Sequence, residues 1–390
     1  MPQAAVIGNR QVRERDTKVQ MVATATSVNA AALRAISKLL STCGLGAVAS
    51  RKGILDKTAI SVLSKMVYNV FQPCLLFVNV MSTVARSGGD SAISVLPLAA
   101  AFQIVVGYIV GKVVSYFMYG KEPTDDSKLL MTCTTFGNSG PLPFVFADAL
   151  FRAHPDPTLA PKAVAYISLY LLGWSPLFWV LATTILSKGA KGSREDQMKA
   201  LMGRVLSPPV VASLSGLAVG YIPFIRNLLL SPTGILNPLL EAMRTLGNAY
   251  LPAVLLVLAG SLVPPPAGPA DKPVPAEPKV NGSRTNFFKK AVAVYASRFL
   301  LMPSLGFFLI KTAQAKVPFL ANTLTDKMLV FVLLLETCMP SAQNSTVILS
   351  LNGDSQGASQ MARLLVAVYI AGIPAMSFWL AKVMKFTGLF

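Results

Sequence analysis

Polar residues that could bind a ligand are concentrated at two points inside apolar stretches of the chain. The first point is Gly137–Pro143 (GNSGPLP), where Asn138 and Ser139 lie among two glycines and two prolines. Glycine and proline destabilise a helix interior, so this segment cannot continue as an unbroken helix. In a membrane, unwound backbone is tolerated only where it is buried in protein or lines a polar cavity. A broken apolar segment therefore indicates a substrate site in a transporter.

The second point lies in the apolar stretch Phe331–Leu349 (FVLLLETCMPSAQNSTVIL). Pro340 and the polar residues Ser341, Gln343 and Asn344 fall in its middle. The same argument predicts a second broken helix here, with uncharged hydrogen-bonding side chains at the break.

Glu336 is an acidic residue one turn before Pro340. Burying a charge in a membrane costs about 2.5–3.5 kcal/mol, so an ionisable residue inside a span is a functional hypothesis. Three interpretations remain open: Glu336 is protonated, it pairs with Lys65 or Arg298, or it carries a coupling proton. Asp148 lies nearer a predicted helix end and is interpreted as structural.

Composition identifies the class of protein. Of the 390 residues, 53% are hydrophobic and 13% are charged, whereas a soluble domain has roughly 25% charged residues. The sequence therefore predicts a polytopic membrane protein. The formal net charge of +18 is spread between apolar spans, which indicates a topology signal and contact with lipid headgroups rather than nucleic acid.

The residue types needed for enzyme chemistry are scarce. The chain has one histidine, His154, and four cysteines, and it contains no His-Glu-x-x-His motif or evident pair of intramembrane aspartates. We therefore predict that the protein is not an enzyme and needs no metal or other cofactor.

Ten segments are long and apolar enough to span a membrane, which takes about 20 residues. They cover residues 31–50, 58–83, 92–119, 128–151, 163–187, 205–225, 236–263, 288–312, 326–351 and 361–384. Residues 1–29 are interpreted as a disordered basic tail, 188–204 as a basic connecting loop, and 264–286 as a Pro-rich flexible loop. The remaining parts, 30–187 and 205–390, each contain five spans.

The two halves repeat. Asn69–Pro73 and Asn248–Pro252 share the pattern Asn-x-aromatic-x-Pro at an offset of 179 residues. Pro141 matches Pro340 and Tyr170 matches Tyr369 at an offset of 199, and the added 20 residues equal roughly the Pro-rich loop inserted between the halves. Five spans is an odd number, so the second half enters the membrane from the opposite side. We therefore predict an all-α integral membrane protein with ten transmembrane helices in two inverted five-helix repeats, whose helices 4 and 9 are broken at prolines and cross.

The chain resembles the auxin efflux carrier family of membrane transport proteins, and within it the PIN-LIKES branch. The segments that carry this resemblance are Lys65–Leu76, Phe136–Pro143, Ser207–Arg226, Leu246–Pro252, Arg298–Gly306 and Leu333–Asn344. They follow the family order over about residues 35–385.

The resemblance implies a fold with a scaffold part and a transporter part, and an elevator-like movement that exposes the site alternately. It also implies a small organic anion as substrate, indole-3-acetic acid or a related compound, and the endoplasmic reticulum membrane rather than the plasma membrane. Asn138, Pro141, Pro340 and Asn344 match the crossover residues of the family pattern. Glu336 departs from that pattern, in which an uncharged polar residue is common.

An aromatic carboxylate needs positive potential for its anion and an apolar slot for its ring. Helix N-termini at the breaks offer free N–H groups and a favourable dipole, and asparagine amides can donate to a carboxylate. The predicted substrate-binding residues are Asn138, Ser139, Pro141, Pro340, Ser341, Gln343 and Asn344. Asn69, Pro73, Asn248 and Pro252 are predicted at the border of the pocket, and Glu336 is the candidate for ion coupling.

Two other functions remain open. A proton- or sodium-coupled carrier with the fold of the bile-acid symporters would share the crossed broken helices, although such carriers usually place several carboxylates there. A membrane receptor or scaffold that transports nothing is the second alternative. The expected partners are the organic anion and membrane lipids, and homodimerisation is left open.

Overall fold

The structure is a computed structural model that describes residues 37, 40–87, 92–151, 154–187, 199, 202–203, 206–262 and 283–389. The predicted tail 1–29, almost all of the loop 188–204 and residues 264–282 of the Pro-rich loop lie outside this part of the chain. Within it every regular element is helical. The all-α class is therefore confirmed for the described residues.

Seventeen α-helices and two short π-helical turns make up the described fold. They are α1 (40–51), α2 (Lys57–Met66), π1 (Val67–Phe71), α3 (Gln72–Ser87), α4 (Ala92–Tyr119), α5 (Asp125–Thr135), α6 (Pro141–Phe151), α7 (Leu159–Leu186), α8 (Pro208–Tyr221), α9 (Pro223–Leu230), α10 (Asn237–Asn248), α11 (Tyr250–Leu262), α12 (Ser283–Ala296), π2 (Ser297–Leu301), α13 (Met302–Lys316), α14 (Pro318–Thr323), α15 (Lys327–Thr337), α16 (Asn344–Leu351) and α17 (Ser355–Thr387).

Six continuous helical stretches in the described residues are long and apolar enough to cross a membrane. They are Lys57–Ala85, Ser94–Tyr119, Leu159–Leu186, Asn237–Leu262, Thr285–Lys316 and Ser355–Thr387. Helices α8 and α9 form a seventh apolar stretch that bends by 103° at Ile222. Each of these stretches coincides with one of the ten predicted spans.

Two further predicted spans are interrupted, and each is made of two short helices. Helices α5 and α6 have 11 residues each, and α15 and α16 have 11 and 8. Local sequence explains where they begin. Thr124 and Ser127 form a capping box before α5, and the Asp326 carboxylate accepts hydrogen bonds from the first N–H groups of α15. Pro141 occupies the first position of α6, where its fixed φ favours a helix start.

Each π-helical turn ends two residues before a proline. Pro73 follows π1 and Pro303 follows π2, and the N–H of the residue before each proline bonds five residues back, to Val67 and Ser297. A proline inside an α-helix removes one N–H and clashes with the carbonyl four residues earlier. A wider turn at that point lets each span continue past its proline, and such π-bulges are frequent at functional sites.

The helices pack in two groups. Helices α2, α3 and α8–α11 are linked by contacts of α3 with α8 and α10, of α9 with α8 and α10, and of α2 with α11, and we call them the α3 group. Helices α4–α7 and α12–α17 form the crossover group, which contains both interrupted spans. Within it α4 and α7 approach so closely that a Cβ atom on Gly173 would overlap the Pro97 carbonyl. Contacts of α7 with α3 and α8, of α11 with α16 and α17, and of α2 with α16 join the two groups.

Candidate functional site: the crossing of two broken helices

The two interruptions cross each other in the interior of the protein. Gly137 and Ser341 form an isolated antiparallel bridge. The Asn138 N–H donates to the Pro340 carbonyl at 2.6 Å, and the Ala342 N–H donates to the Phe136 carbonyl at 2.9 Å. Each unwound segment thus satisfies backbone groups that the other segment leaves without a helical partner, as buried backbone requires.

Side chains complete the hydrogen bonding of the crossing. The Ser341 hydroxyl donates to the Cys133 carbonyl at the end of α5, at 2.7 Å. The Tyr369 hydroxyl on α17 donates to the Ser341 carbonyl at 2.9 Å and accepts from Asn138 Nδ2 at 2.7 Å. Ser341 and Tyr369 therefore hold the geometry of the breaks, and Tyr369 orients the Asn138 amide.

Arg298 lies at the centre of the crossing. It belongs to π2, its side chain is 0% exposed, and its Nε and Nη2 atoms donate to the Met339 carbonyl at 3.1 and 2.7 Å. Its Nη1 atom has no hydrogen-bond partner. The guanidinium also lies against Gly137, where any Cβ atom would collide with Nη2. One buried cation therefore contacts both broken segments.

Gly137→Ala is expected to destabilise the protein by about 1–3 kcal/mol, because the added methyl group displaces Arg298 or the bridge beside it. Thermal unfolding of the purified protein in detergent measures this effect. Gly140→Ala is the matched control, since a Cβ atom there meets nothing within 4 Å. Equal unfolding midpoints for the two variants would contradict the close contact.

Glu336 is buried beside the crossing without a hydrogen bond to its carboxyl group. It is 0% exposed, and neither Oε1 nor Oε2 has a partner. Lys65 is exposed on α2, so the pairing with Lys65 considered from the sequence does not form. Arg298 is close enough to act on the charge of Glu336, but its donors bind the Met339 carbonyl instead.

The main chain at Glu336 is anchored by a chain of side-chain hydrogen bonds. Gln103 Nε2 on α4 donates to the Glu336 carbonyl at 3.1 Å, and the Tyr170 hydroxyl on α7 donates to Gln103 Oε1 at 2.6 Å. Tyr170 and Tyr369 are the pair at the 199-residue offset, and both contribute to hydrogen bonding around the breaks. The Ser139 hydroxyl nearby is buried without a hydrogen-bond partner.

A cavity lies on the other side of the crossing, at the boundary between the two helix groups. The α3 group contributes four of its lining residues: Gln72, Leu75, Leu76 and Tyr250. The crossover group contributes Asn138, Gly140, Leu171, Trp174, Ser175, Ala342, Gln343 and Asn344. The space open to the centre of a water molecule is ≈ 20 Å³, about enough for one water.

Several polar atoms at this cavity are available to a ligand. The Tyr250 hydroxyl donates to Asn344 Oδ1 at 2.7 Å, which leaves Nδ2 as the end of that amide that can donate elsewhere. Both ends of the Gln343 amide lack a partner, as do Gln72 Oε1 and the Ser175 hydroxyl. Buried polar groups are normally satisfied, so these atoms favour a polar ligand.

The apolar wall of the cavity is rigid. Trp174 stacks on Phe178 with ring centroids 4.7 Å apart, and Phe178 meets Phe136 edge-on at 5.1 Å. Such pairs stabilise one ring geometry beyond the burial of their area. The wall beside the amides therefore suits a flat apolar group.

The structure brings together most of the residues predicted to bind substrate. Asn138, Gln343 and Asn344 line the cavity, whereas Ser139, Pro340 and Ser341 are buried at the crossing itself. Pro141 begins α6 beside them.

The four residues predicted at the pocket border are placed differently. Asn69 and Asn248 are exposed, and Asn69 Nδ2 donates to the Lys65 carbonyl of its own helix. Pro73 and Pro252 follow in their helices and are not among the lining residues. From the same two motifs the structure instead brings Gln72 and Tyr250 to the cavity. The presence of both motifs could have suggested these residues, whereas nothing in the sequence distinguished Trp174 and Ser175.

Long apolar helices around a buried polar crossing describe an integral membrane protein that crosses the membrane several times. The chain belongs to the membrane transport protein family, whose model matches residues 31–380. The resemblance to auxin efflux carriers and to their PIN-LIKES branch is thereby confirmed. This is a family of transporters rather than enzymes.

Curated relatives are PIN-LIKES proteins of Arabidopsis thaliana. Protein PIN-LIKES 1 is 22% identical over 390 aligned residues, which cover 88% of this chain and 77% of that protein. Protein PIN-LIKES 3 is 20% identical over 375 residues, covering 84% and 89% of the two chains. Protein PIN-LIKES 6 is 30% identical over 182 residues, covering 47% and 37%.

Proposed function

We propose that this transporter carries a small organic anion with a flat apolar group, such as indole-3-acetate, and binds it where the two broken helices cross. The observation that carries the proposal is the cavity at the crossing, in which uncharged amides face an aromatic and aliphatic wall. The resemblance to auxin carriers supports the choice of an indole carboxylate.

The chemistry of the lining suits such an anion. Asn344 Nδ2 and the Gln343 amide can donate to a carboxylate, and the first turn of α16 adds the positive end of a helix dipole. Neutral donors leave no unpaired charge in the empty carrier, which a lysine or arginine at the same place would do. Trp174, Leu171 and Leu75 provide the apolar slot for the ring.

The position of the cavity supports alternating access. It lies between the α3 group and the crossover group, so a movement of one group relative to the other would widen it toward one side of the membrane at a time. The ≈ 20 Å³ now open is too small for an aromatic acid, so the described conformation corresponds to a closed state of the cycle. Tyr250 and Asn344 form a hydrogen bond across the boundary, and it has to lengthen during that movement.

The proposed architecture is ten transmembrane helices in two inverted repeats. Six long apolar stretches, the bent pair α8–α9, the two interrupted spans and the first span predicted at 31–50 add up to that number. The paired breaks and the paired tyrosines at the 199-residue offset support the repeat. We place the carrier in the endoplasmic reticulum membrane on the strength of the PIN-LIKES resemblance.

Alanine substitution of the cavity asparagines tests the substrate site. In proteoliposomes, Asn138→Ala and Asn344→Ala are expected to lower the uptake of radiolabelled indole-3-acetate at least tenfold, since each removes a buried group oriented by a tyrosine. Asn69→Ala and Asn248→Ala are matched controls in which an exposed asparagine is lost, and they should retain wild-type uptake.

Protein-free vesicles correct this assay for passive entry of the neutral acid. Normal uptake by folded Asn138→Ala and Asn344→Ala proteins would refute the assigned site. Absence of carrier-dependent uptake in the wild type, for indole-3-acetate and for other aromatic and aliphatic carboxylates, would favour the receptor or scaffold alternative.

A further inference from the structure

We propose that Glu336 is a proton-binding site within the crossing and that one proton travels on it together with each substrate anion. The inference rests on the proposed function and goes beyond it, because it assigns the driving ion and the residue that carries it. Four features of the structure support it: the isolation of Glu336, its single charged neighbour, its position next to the break, and the absence of a charged residue in the lining of the substrate cavity.

The carboxyl group of Glu336 is placed where its ionised form is poorly accommodated. It is fully buried and neither oxygen accepts a hydrogen bond in this conformation. Burying an ionised carboxylate without hydrogen bonds costs much more free energy of solvation than burying a protonated carboxyl group. The described conformation therefore corresponds to the protonated form of Glu336.

The helices packed around α15 offer few groups that could stabilise a negative charge on Glu336. Arg298, preceding α13, is the charged side chain that acts on Glu336. Helix α7 contributes Tyr170, whose hydroxyl is bonded to Gln103 of α4. Helix α17 contributes Tyr369, which is engaged by Asn138 and Ser341.

The two remaining neighbours are a thiol and a hydroxyl. The Cys338 thiol, on the residue that follows α15, donates to the Leu334 carbonyl. The Ser139 hydroxyl is outside hydrogen-bond geometry with the Glu336 carboxyl group but lies close enough to stabilise a negative charge on it. The charge state of Glu336 thus depends on the Ser139 hydroxyl and on whether Arg298 turns toward the carboxyl group.

Arg298 links the proton to the geometry of the crossing. Its guanidinium now holds the Met339 carbonyl and lies against Gly137, so it fixes the backbone of both breaks. A carboxylate is a stronger partner for a guanidinium than a neutral carbonyl. When Glu336 loses its proton, the free Nη1 and then the rest of the guanidinium turn from Met339 to Glu336, and the hold on the crossing loosens.

This exchange gives a balanced transport step. On one side of the membrane the substrate enters as a carboxylate and Glu336 takes up one proton, so that the loaded carrier gains no net charge. On the other side the carboxylate leaves and Glu336 releases the proton to water. One negative and one positive charge move together, and transport is therefore electroneutral.

Membrane potential distinguishes this mechanism from movement of the anion alone. Vesicles with equal pH 7.5 on both sides receive a potassium diffusion potential of 100 mV of either sign, and initial rates of radiolabelled indole-3-acetate uptake are corrected with protein-free vesicles. Wild-type rates are expected to be the same for both signs. Glu336→Gln retains the neutral shape but carries no proton. Its inside-positive vesicles should therefore take up the probe several-fold faster than its inside-negative vesicles, within the ~2,500-fold limit that one charge sets over the ~200 mV between them.

Glu241→Gln is the matched control, because Glu241 is an exposed acid on α10 that pairs with Arg244. It should behave as the wild type in both vesicle types. A wild-type rate that depends on potential would overturn the proposal, and so would a Glu336→Gln rate that remains independent of it. If the wild type shows no uptake at all, the proposed function fails rather than the proton site.

Infrared spectroscopy tests the proton site without any transport. The wild type and Glu241→Gln at pH 7.5 should show the carbonyl stretch of a protonated carboxylic acid, shifted in D₂O, and Glu336→Gln should lack it. The unfolding midpoint of Glu336→Gln should equal or exceed that of the wild type, since glutamine resembles the protonated acid. Absence of the band in the wild type would overturn the proposal even if Glu336→Gln were inactive.

Discussion

Arg298→Ala is expected to cost about 2–5 kcal/mol of stability, because hydrogen bonds made by a charged group contribute about 1.5–3 kcal/mol and truncation of a buried side chain leaves a cavity. The variant loses the two hydrogen bonds to the Met339 carbonyl. It also leaves a void where a completely buried side chain filled the space between the two breaks. Because Met339 lies beyond the last turn of α15, its carbonyl has no helical partner to replace the guanidinium.

Thermal unfolding in detergent and the fraction of monodisperse protein measure this loss. Arg244→Ala is the control, since Arg244 is an exposed residue paired with Glu241 and such pairs contribute about 0.2–1 kcal/mol. Arg298→Lys should be intermediate, because lysine retains the charge but not the fork that reaches the carbonyl with two nitrogens. An Arg298→Ala midpoint equal to that of Arg244→Ala would show that Arg298 does not hold the crossing.

The double variant Arg298→Ala/Glu336→Gln separates two accounts of this charge. If Arg298 acts on the Met339 carbonyl while Glu336 is neutral, the two substitutions change stability additively. If the two residues form an ion pair in the protein, Glu336→Gln should recover part of the stability lost in Arg298→Ala, since the unpaired acid is then gone.

The interrupted spans could be predicted from sequence because their causes are local. Proline at 141 and at 340 prevents a continuous helix wherever the segment lies, and capping residues such as Asp326 mark where a helix resumes. For the same reason Asn138 and Asn344 could be predicted to lie at the crossing, since they are within a few residues of the breaks. The spacing of Tyr170 and Tyr369 also proved informative, because both tyrosines contribute to the hydrogen bonding around the crossing.

Long-range packing explains what the sequence could not show. The Asn-x-aromatic-x-Pro motifs lie beside the cavity, but Gln72 and Tyr250 line it while Asn69 and Asn248 are exposed. Asn69 lies within π1 and Gln72 follows it, and Asn248 ends one helix while Tyr250 begins the next. Which of these side chains turns inward depends on how the α3 group meets the crossover group. That contact involves residues far apart in the chain.

Arg298 shows a second limit. From residue types alone an intramembrane arginine is matched with an intramembrane acid, and Glu336 was the candidate. In the structure, the Arg298 guanidinium donates to a backbone carbonyl instead. A helix that ends inside the protein leaves its last carbonyl groups without partners, and the pattern of side chains in the sequence does not show where this happens. Predicting this partner requires knowing that α15 ends at Thr337 and that π2 passes beside it.

Asn344→Asp is expected to lower the rate of organic-anion uptake by a factor of about 100 or more. The substitution keeps the size of the side chain and the acceptor that Tyr250 binds, but it replaces the donating amide nitrogen with a carboxylate oxygen. A carboxylate of the substrate would then meet a like charge in a buried cavity, where Coulomb repulsion is much stronger than in water. The loss should exceed that of Asn344→Ala, because repulsion adds to the lost hydrogen bond.

The direction of this effect also identifies the charge of the ligand. Asn248→Asp provides the control, because it adds the same carboxylate at the exposed position of the repeated motif, and it should leave uptake unchanged. Sodium-coupled carriers of the related crossed-helix type usually have several acids at the crossing, so a sodium site there would be strengthened by Asn344→Asp. An uptake assay therefore decides between anion binding by the amide and a sodium site. It compares radiolabelled indole-3-acetate uptake by Asn344→Asp, Asn344→Ala and the wild type, each with and without a sodium gradient. Uptake by Asn344→Asp that survives and becomes sodium-dependent would favour the cation-coupled alternative over anion binding by the neutral amide.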